Sequence, residues 1–421
     1  MDIENSIDNK LDKLIEAAAC KMQEFGMKRA AVEEANFAKV LAAFRECRVS
    51  EINLKTTSGY GYGDVGRDTL EEIYARVFRG EAALMRQQIV SGTHAIALAL
   101  MSNLLPGDEL VYVGTPYDTL HKAIGDLGDE PGSLIEMGVK YREIDFDFEK
   151  FDLRQITEGI TADTKILAIQ RSKGYNWRKS LSVAEIGEII QAAKSAYPNV
   201  IIFVDNCYGE FVEDREPLEV GADYMAGSLI KNPGGGLAPC GGYIVGRADL
   251  VDRAAARLTC PGIAKEVGAS LGDQRLFYQG LYMAPQIVGE ALRSAVFAAA
   301  LIESLGFPVL PAADDERSDI IQGIKWGRED LLLAFCQGIQ KYSPVDSFVT
   351  PLPWDMPGYT EQVIMAAGTF VAGASIELSC DAPVVSPDYN LYFQGGLSRY
   401  HGKVAIGNTV RDMIEKRLIN L

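Results

Sequence analysis

Apolar and polar positions change their period twice along this chain. Over residues 1–50, Leu11, Leu14, Ile15, Ala18 and Ala19 recur at helical spacing, and a second helix is predicted over about 32–46. Residues 51–66 then turn to TTSGYGYGDVG, a loop composition. From 67 to about 285 short apolar runs recur: QQIVS, ELVYVG, KILAIQ, NVIIFVDN, DYMAGSLI and GGYIVG. Several are nearly continuous over four to eight residues, with helical stretches between some of them. Strands buried on both faces read this way, so the pattern predicts an α/β fold with a large, mostly parallel sheet covered by helices. A long helix over about 285–304 leads away and stops at Gly306, before Pro308 and Pro311. The remainder predicts a smaller α+β domain. Its expected strands are FPVLP, DIIQGIKW, TEQVIMAA and GASIELS, with a helix over about 328–340 and another at the C-terminus. The expected organisation is an N-terminal helical arm and loop (1–66), a large domain (67–285) and a C-terminal small domain (286–421). NLYFQG at 390–395 has Tyr389 where a protease tag site has Glu, and reads as a native strand.

Composition narrows the function classes. The chain is 48% hydrophobic and 24% charged, as globular proteins are, and no window approaches a membrane span. The N-terminus lacks the basic start and apolar core of a signal peptide, so a cytoplasmic protein is expected. A net charge of −17 argues against nucleic acid or an anionic membrane as partner. Seven cysteines are scattered without a CxxC, and the three histidines (94, 121, 401) lie far apart. Reduced thiols are expected and no metal site. Asp145, Asp147 and Glu149 read as a solvated edge and loop.

In an open α/β sheet, ligands bind at the carboxyl ends of the strands, so chemistry is sought there. After QQIV come Ser91, Gly92 and Thr93, opening a helix. A helix N-terminus with a glycine and hydroxyls suits one phosphate, or is an ordinary turn. Neither GxGxxG nor GxxxxGK[ST] is present there, so no dinucleotide or NTP is read. After ELVYVG comes Tyr117, which could lie flat on a planar ligand or pack. After NVIIFV comes Asp205, a carboxylate that needs a cation or donors, or serves as a cap. After MAGSLI comes Lys231, three residues past Ser228, before Pro233 and three glycines. Alone it is a strand-end lysine; in such a site it is a nucleophile.

Taken together, phosphate site, flat aromatic, carboxylate and amine are the needs of pyridoxal 5'-phosphate. Its aldehyde condenses with a lysine amine, and its ring nitrogen needs an anionic partner. Asp205 would keep that nitrogen protonated and the ring an electron sink. Lys231 would be the general base, Tyr117 would stack and help a leaving group depart, and Ser228 could donate to the phosphate. The following glycines would give the cofactor room at the backbone. Lys173 is the rival amine. Arg171, at the correct sheet edge, is the candidate for the substrate carboxylate, or else a structural ion pair. Arg399 ranks below it. Tyr175 and His94 could line the pocket, and Cys207 reads as a buried small residue.

This order and spacing resemble fold-type I pyridoxal-phosphate enzymes of the cystathionine and methionine lyase group. Gly92 precedes Tyr117 by 25 residues and Asp205 precedes Lys231 by 26. The group's Tyr-x-Arg pair, which reaches the neighbouring subunit's phosphate, would correspond to Tyr60-Gly61-Tyr62, with Tyr62 in place of the arginine. A closer resemblance runs from about residue 50 to 421. SGYGYGDVGRDTLEEIYARVF, QIVSGTHAIALAL, RSKGYNWRKS, GSLIKNPGGGLAPCGGYIVGR, GASIELSCDAP and YFQGGLSRYHGKVAI are similar to the bacterial aluminium resistance protein family, methionine γ-lyase-like carbon–sulfur lyases. It implies a homotetramer of paired dimers sharing active sites, and β- or γ-elimination on a sulfur-containing amino acid such as cystathionine, cysteine or methionine. Transamination or racemisation on the same fold, or a non-catalytic cofactor-binding role, stay open.

Overall fold

The structure is a computed structural model and describes residues 2–128 and 130–421. The chain divides into two compact units. One comprises Ala35–Ser172 and Ser180–Ala284, the other Met1–Glu34, Lys173–Lys179 and Pro285–Leu421.

The larger unit is built on a seven-stranded sheet: β1 (Ala82–Arg86), β2 (Glu109–Val113), β3 (Lys140–Ile144), β4 (Thr164–Gln170), β5 (Ile201–Asp205), β6 (Tyr224–Ser228) and β7 (Gly242–Gly246). Their spatial order is β1-β7-β6-β5-β4-β2-β3, all parallel except β7, which runs against both its neighbours. The carboxyl ends of β1, β2, β4, β5 and β6 therefore emerge at one edge. The ladder runs past the strand ends there: Arg171 N–H donates to the Asp205 carbonyl at 3.1 Å, and Asn206 N–H to the Ala226 carbonyl at 3.1 Å. Six of the seven strands are buried throughout or but for one position, as their continuous apolar runs require.

One helix, α1 (Asp2–Glu46), replaces the two helices expected at the N-terminus. No proline interrupts it, and Gly26 is kept within it because a Cβ there would come 2.6 Å from Arg293 Nε. The other helices are α2 (Val65–Phe78), α3 (Gly92–Asn103), α4 (Asp118–Ile124), α5 (Arg154–Gly159), α6 (Val183–Ala196), α7 (Ala248–Leu258), α8 (Gln274–Ser304), α9 (Glu329–Lys341) and α10 (Arg399–Glu415). α8 begins eleven residues before the expected start and carries Pro285 inside it.

The smaller unit holds an antiparallel sheet in the order β10-β11-β12-β9-β8, formed by β8 (Val309–Leu310), β9 (Gln322–Lys325), β10 (Val363–Ala366), β11 (Ser379–Pro383) and β12 (Asn390–Gln394). Its core joins Leu11, Ala18 and Met22 of α1 to Phe297, Leu332, Phe335, Ile406 and Val410. NLYFQ is strand β12, buried but for Asn390.

Two strands lie elsewhere than expected. QQIV is a turn after β1: Ile89 N–H donates to the Arg86 carbonyl, and the Gln87 and Gln88 amides reach the Ala269 carbonyl. GASIEL is a loop before β11. The Glu377 carboxylate takes the Phe370 and Val371 N–H groups, so a side chain replaces the ladder there.

Candidate active site

Residues that follow or end β1, β2, β5 and β6 gather in one region of the larger unit. At the start of α3, Ser91 is the cap: its hydroxyl accepts from His94 N–H at 3.0 Å and its carbonyl from Ala95 N–H. That leaves the N–H groups of Gly92 and Thr93, the first two of the helix, without a partner among the described residues. His94 closes the same turn by accepting the Val90 N–H, and burial holds its imidazole below its ordinary pKa.

α3 packs against β6 and β7, which brings its N-terminus to the end of β6 although β1 lies two strands away. Contact is tight enough that a Cβ on Gly92 would come 2.9 Å from Ser228 Cβ and 3.7 Å from Cys207 Sγ. Ser228 is buried, and its hydroxyl oxygen would lie 3.6 Å from the same Cβ.

Tyr117 precedes α4, and its hydroxyl lies 3.3 Å from Thr93 Oγ1. Burial, with the nearby Asp205 charge, pushes the Tyr117 phenol well above its ordinary range. Asp205 ends β5 almost wholly out of water, and one of its oxygens takes Cys207 N–H at 3.0 Å. Burial raises the Asp205 carboxyl, and the Lys231 charge lowers it. Cys207 is buried and its thiol is pushed well up, first by burial and then by Asp205. It is a packed thiol here, not a nucleophile.

Lys231 follows β6 and is half-buried. Burial works against its charge, and the ring of acidic groups formed by Cys207, Tyr208, Asp205 and Tyr117 outweighs it, holding the amine above its ordinary value. Its Nζ lies 3.8 Å from the centroid of the Tyr208 ring. Tyr208 carried no signal in the sequence; only its backbone conformation and the position of the amine reveal it.

The glycines after Lys231 do something other than make room for a ligand. A Cβ on Gly234 would lie 1.7 Å from the Leu229 carbonyl oxygen. One on Gly235, whose φ is +54°, would lie 2.3 Å from the Gly280 carbonyl oxygen of α8. They let the turn close on itself and on a helix backbone.

Arg171 and Lys173 do not join this group. Arg171 is fully buried: Nη1 donates to Asn206 Oδ1 at 2.9 Å and lies 3.4 Å from Glu216 Oε2, while Nη2 donates to Glu213 Oε1 at 2.8 Å. Its guanidinium is engaged by Asn206, Glu213 and Glu216. Lys173 belongs to the smaller unit, where Nζ contacts Asp319 Oδ1 at 3.3 Å and the Ile321 carbonyl at 3.2 Å. There too Arg399 pairs with Glu290, and the Tyr175 ring stacks 5.3 Å from that of Tyr392. Tyr60 and Tyr62 stand apart, 75% and 63% exposed, with their rings 5.6 Å from each other. His121, Asp126 and Glu143 lie close enough to share a cation, but His121 Nδ1 is paired with Asp126 at 2.8 Å and Glu143 takes the Thr115 and Tyr141 hydroxyls.

The donor set suits pyridoxal phosphate: free helix N–H groups and a buried hydroxyl for a phosphate, an aromatic ring, a buried carboxylate, and an amine. The methionine gamma-lyase family model matches residues 11–414. The protein YnbB of Bacillus subtilis (strain 168), uncharacterized, is 50% identical over 391 residues, 92% of this chain and 93% of that one. The structure of a carbon-sulfur lyase involved in aluminum resistance from Clostridium novyi NT superposes with a TM-score of 0.92 at 45% identity, covering 97% of this chain and 96% of that one. The pyridoxal-5'-phosphate dependent protein YhfS from Escherichia coli shares the fold at 16% identity, with a TM-score of 0.62 over 91% of this chain and 96% of that one.

Proposed function

The chain belongs to the methionine gamma-lyase family, and from that premise we propose that it is a pyridoxal-phosphate-dependent carbon–sulfur lyase acting by β- or γ-elimination on a sulfur-containing amino acid. The observation that carries this reading is the convergence of Gly92, Thr93, Ser228, Tyr117, Asp205 and Lys231 at one sheet edge.

Bound there, the cofactor supplies an electron sink for the charge left when a substrate loses its α-proton. The residues do the rest. The N–H groups of Gly92 and Thr93 and the Ser228 hydroxyl bind the phosphate, with the positive end of α3 behind them. Asp205 accepts from the ring nitrogen, and its buried position makes that charge pair strong. The Tyr117 ring would stack on the cofactor. Its phenol, held protonated by burial, would donate to a departing sulfur. Lys231 would hold the cofactor through its amine and would take the substrate α-proton at Nζ. In a homo-oligomer Tyr60 and Tyr62 would reach the phosphate of a second copy, a reading supported by two large rings exposed on one chain.

The test is optical and then chemical. The purified protein with pyridoxal phosphate should absorb in the visible, and borohydride should fix the label on the peptide containing Lys231. Incubation with cystathionine, cysteine or methionine should release thiol or sulfide and ammonia. A protein that stays colourless with added cofactor would overturn the reading, as would a label on Lys173. Amino-group transfer to the cofactor without thiol release would point to transamination instead.

A further inference from the structure

The segment after β5, Asn206-Cys207-Tyr208-Gly209-Glu210-Phe211, is held in a costly conformation. Tyr208 has φ +71° and Phe211 φ +62°, the left-handed region that residues with a Cβ avoid. Such backbone persists only where its surroundings over-determine it, and they do. The Asn206 amide donates to Glu216 at 2.9 Å and its oxygen accepts from Arg171. Gly209 lies on the Arg171 side chain, where a Cβ would come 2.4 Å from Cδ. Phe211 N–H donates to Glu216 Oε1 at 2.9 Å, and its carbonyl accepts from the Asn36 amide at 3.1 Å. Asn232, next to Lys231, donates to the Glu210 carbonyl at 2.9 Å, so the turn that carries the lysine is tied to the turn that carries the tyrosine.

What this bracing positions is one aromatic face. The Tyr208 ring lies 3.8 Å from Lys231 Nζ, within cation–π range, and both residues are half-buried. Such attraction acts on the ammonium and vanishes for the neutral amine. The groups facing Nζ are Asp205, Cys207, Tyr208 and Glu210 from the segment after β5, and Tyr117 from the start of α4. Cys207 and Tyr117 are held protonated by burial, so near neutral pH Asp205 and the ring face are what favour the charged amine.

We propose that Tyr208 is a positioning residue whose ring receives the Lys231 ammonium and biases that amine toward its protonated form. The inference rests on the reading above, in which Lys231 is the reactive amine. When Nζ takes a proton from the substrate α-carbon, the ring holds the resulting ammonium in place. The same proton is later given up from Nζ, so the cycle leaves no net proton on the lysine. Asp205 is thereby free to serve a ring nitrogen rather than neutralise the lysine.

The test measures the amine itself. The full-length protein, with and without pyridoxal phosphate, is labelled with limiting acetic anhydride across a pH series, and the Lys231 peptide is quantified by mass spectrometry. Wild type and Tyr208→Phe should share one midpoint in the cofactor-free protein. In Tyr208→Leu the midpoint should fall by about one pH unit, leaving about tenfold more free amine at a fixed lower pH. Tyr208→pentafluorophenylalanine keeps the ring's shape and removes its negative face, and should fall as Leu does. A Leu or pentafluoro variant with the wild-type midpoint overturns the proposal, even if labelling is faster at every pH, because lost cover alone does that. So does a Phe variant that falls with Leu, since the hydroxyl would then be responsible. A missing visible band with added cofactor overturns the lyase reading separately, while the labelling midpoints still decide the contact between ring and amine.

Discussion

Gly92 and Ser228 touch: a Cβ on the glycine would come 2.9 Å from the serine Cβ. The first turn of α3 and the end of β6 are thereby pressed together, an approach possible only because residue 92 has no side chain. Gly92→Ala should fold, since the helix tolerates alanine, but should spread the two elements. Pyridoxal phosphate affinity, followed by visible titration, should weaken by about tenfold or more. Unchanged affinity would remove the phosphate from this corner.

Arg171 separates scaffold from ligand binding. Glu216 is fully buried opposite it, so Arg171→Ala leaves an uncompensated acid inside the larger unit. The expected loss is about 3–5 kcal/mol of stability, read from urea denaturation. A stable variant with only a raised KM would instead assign Arg171 to the substrate carboxylate.

Glu210 predicts a pH dependence of stability. Burial pushes its carboxyl up to about 8 despite the 2.7 Å hydrogen bond from the Tyr243 hydroxyl. The folded state then binds a proton that the unfolded state releases from about pH 4.5 upward. Its contribution is full below that value and is lost as pH rises to about 8. Glu210→Gln should match wild type in urea melts near the lower pH and gain on it by up to roughly 1.4 kcal/mol per unit toward the higher. Parallel curves across the window would show that Glu210 is not protonated in the fold.

Gly234→Ala would drive a methyl into the Leu229 carbonyl, 1.7 Å from the ideal Cβ position. The turn cannot yield without moving Lys231. A loss of about 3 kcal/mol is expected by thermal or urea denaturation. A variant of wild-type stability that fails only to bind cofactor would return these glycines to the role of ligand clearance.

The sheet edge was legible because each candidate follows a run of apolar residues, and a strand that must bury both faces has little freedom in where it stops. Asp205 ends its strand as the pattern implies, while β6 stops at Ser228, two residues before the apolar run ends. Local runs could not reveal what depends on distant partners. Arg171 finds its acids 42 and 45 residues on, so its engagement in an ion-pair network has no local trace. QQIV is as apolar at its end as a strand, but two glutamine amides turn it toward Ala269. Nothing in the letters of DNCYGEF marks Tyr208 as left-handed; that conformation is imposed by Arg171, Glu216 and Asn36, which belong to three other parts of the chain.

The split of the smaller unit into three stretches of chain sets a timetable for synthesis. The larger unit has all its residues once Ala284 has been made. The other cannot close then, because Leu11, Ala18 and Met22 find Ile406 and Val410 only about 390 residues later in the sequence. Until α10 arrives, the apolar stripe of α1 lacks these partners. A stalled or truncated chain would therefore show its sticky surface at the amino terminus, far from the break that caused it, and holding that stripe is the task left to the cell's chaperones.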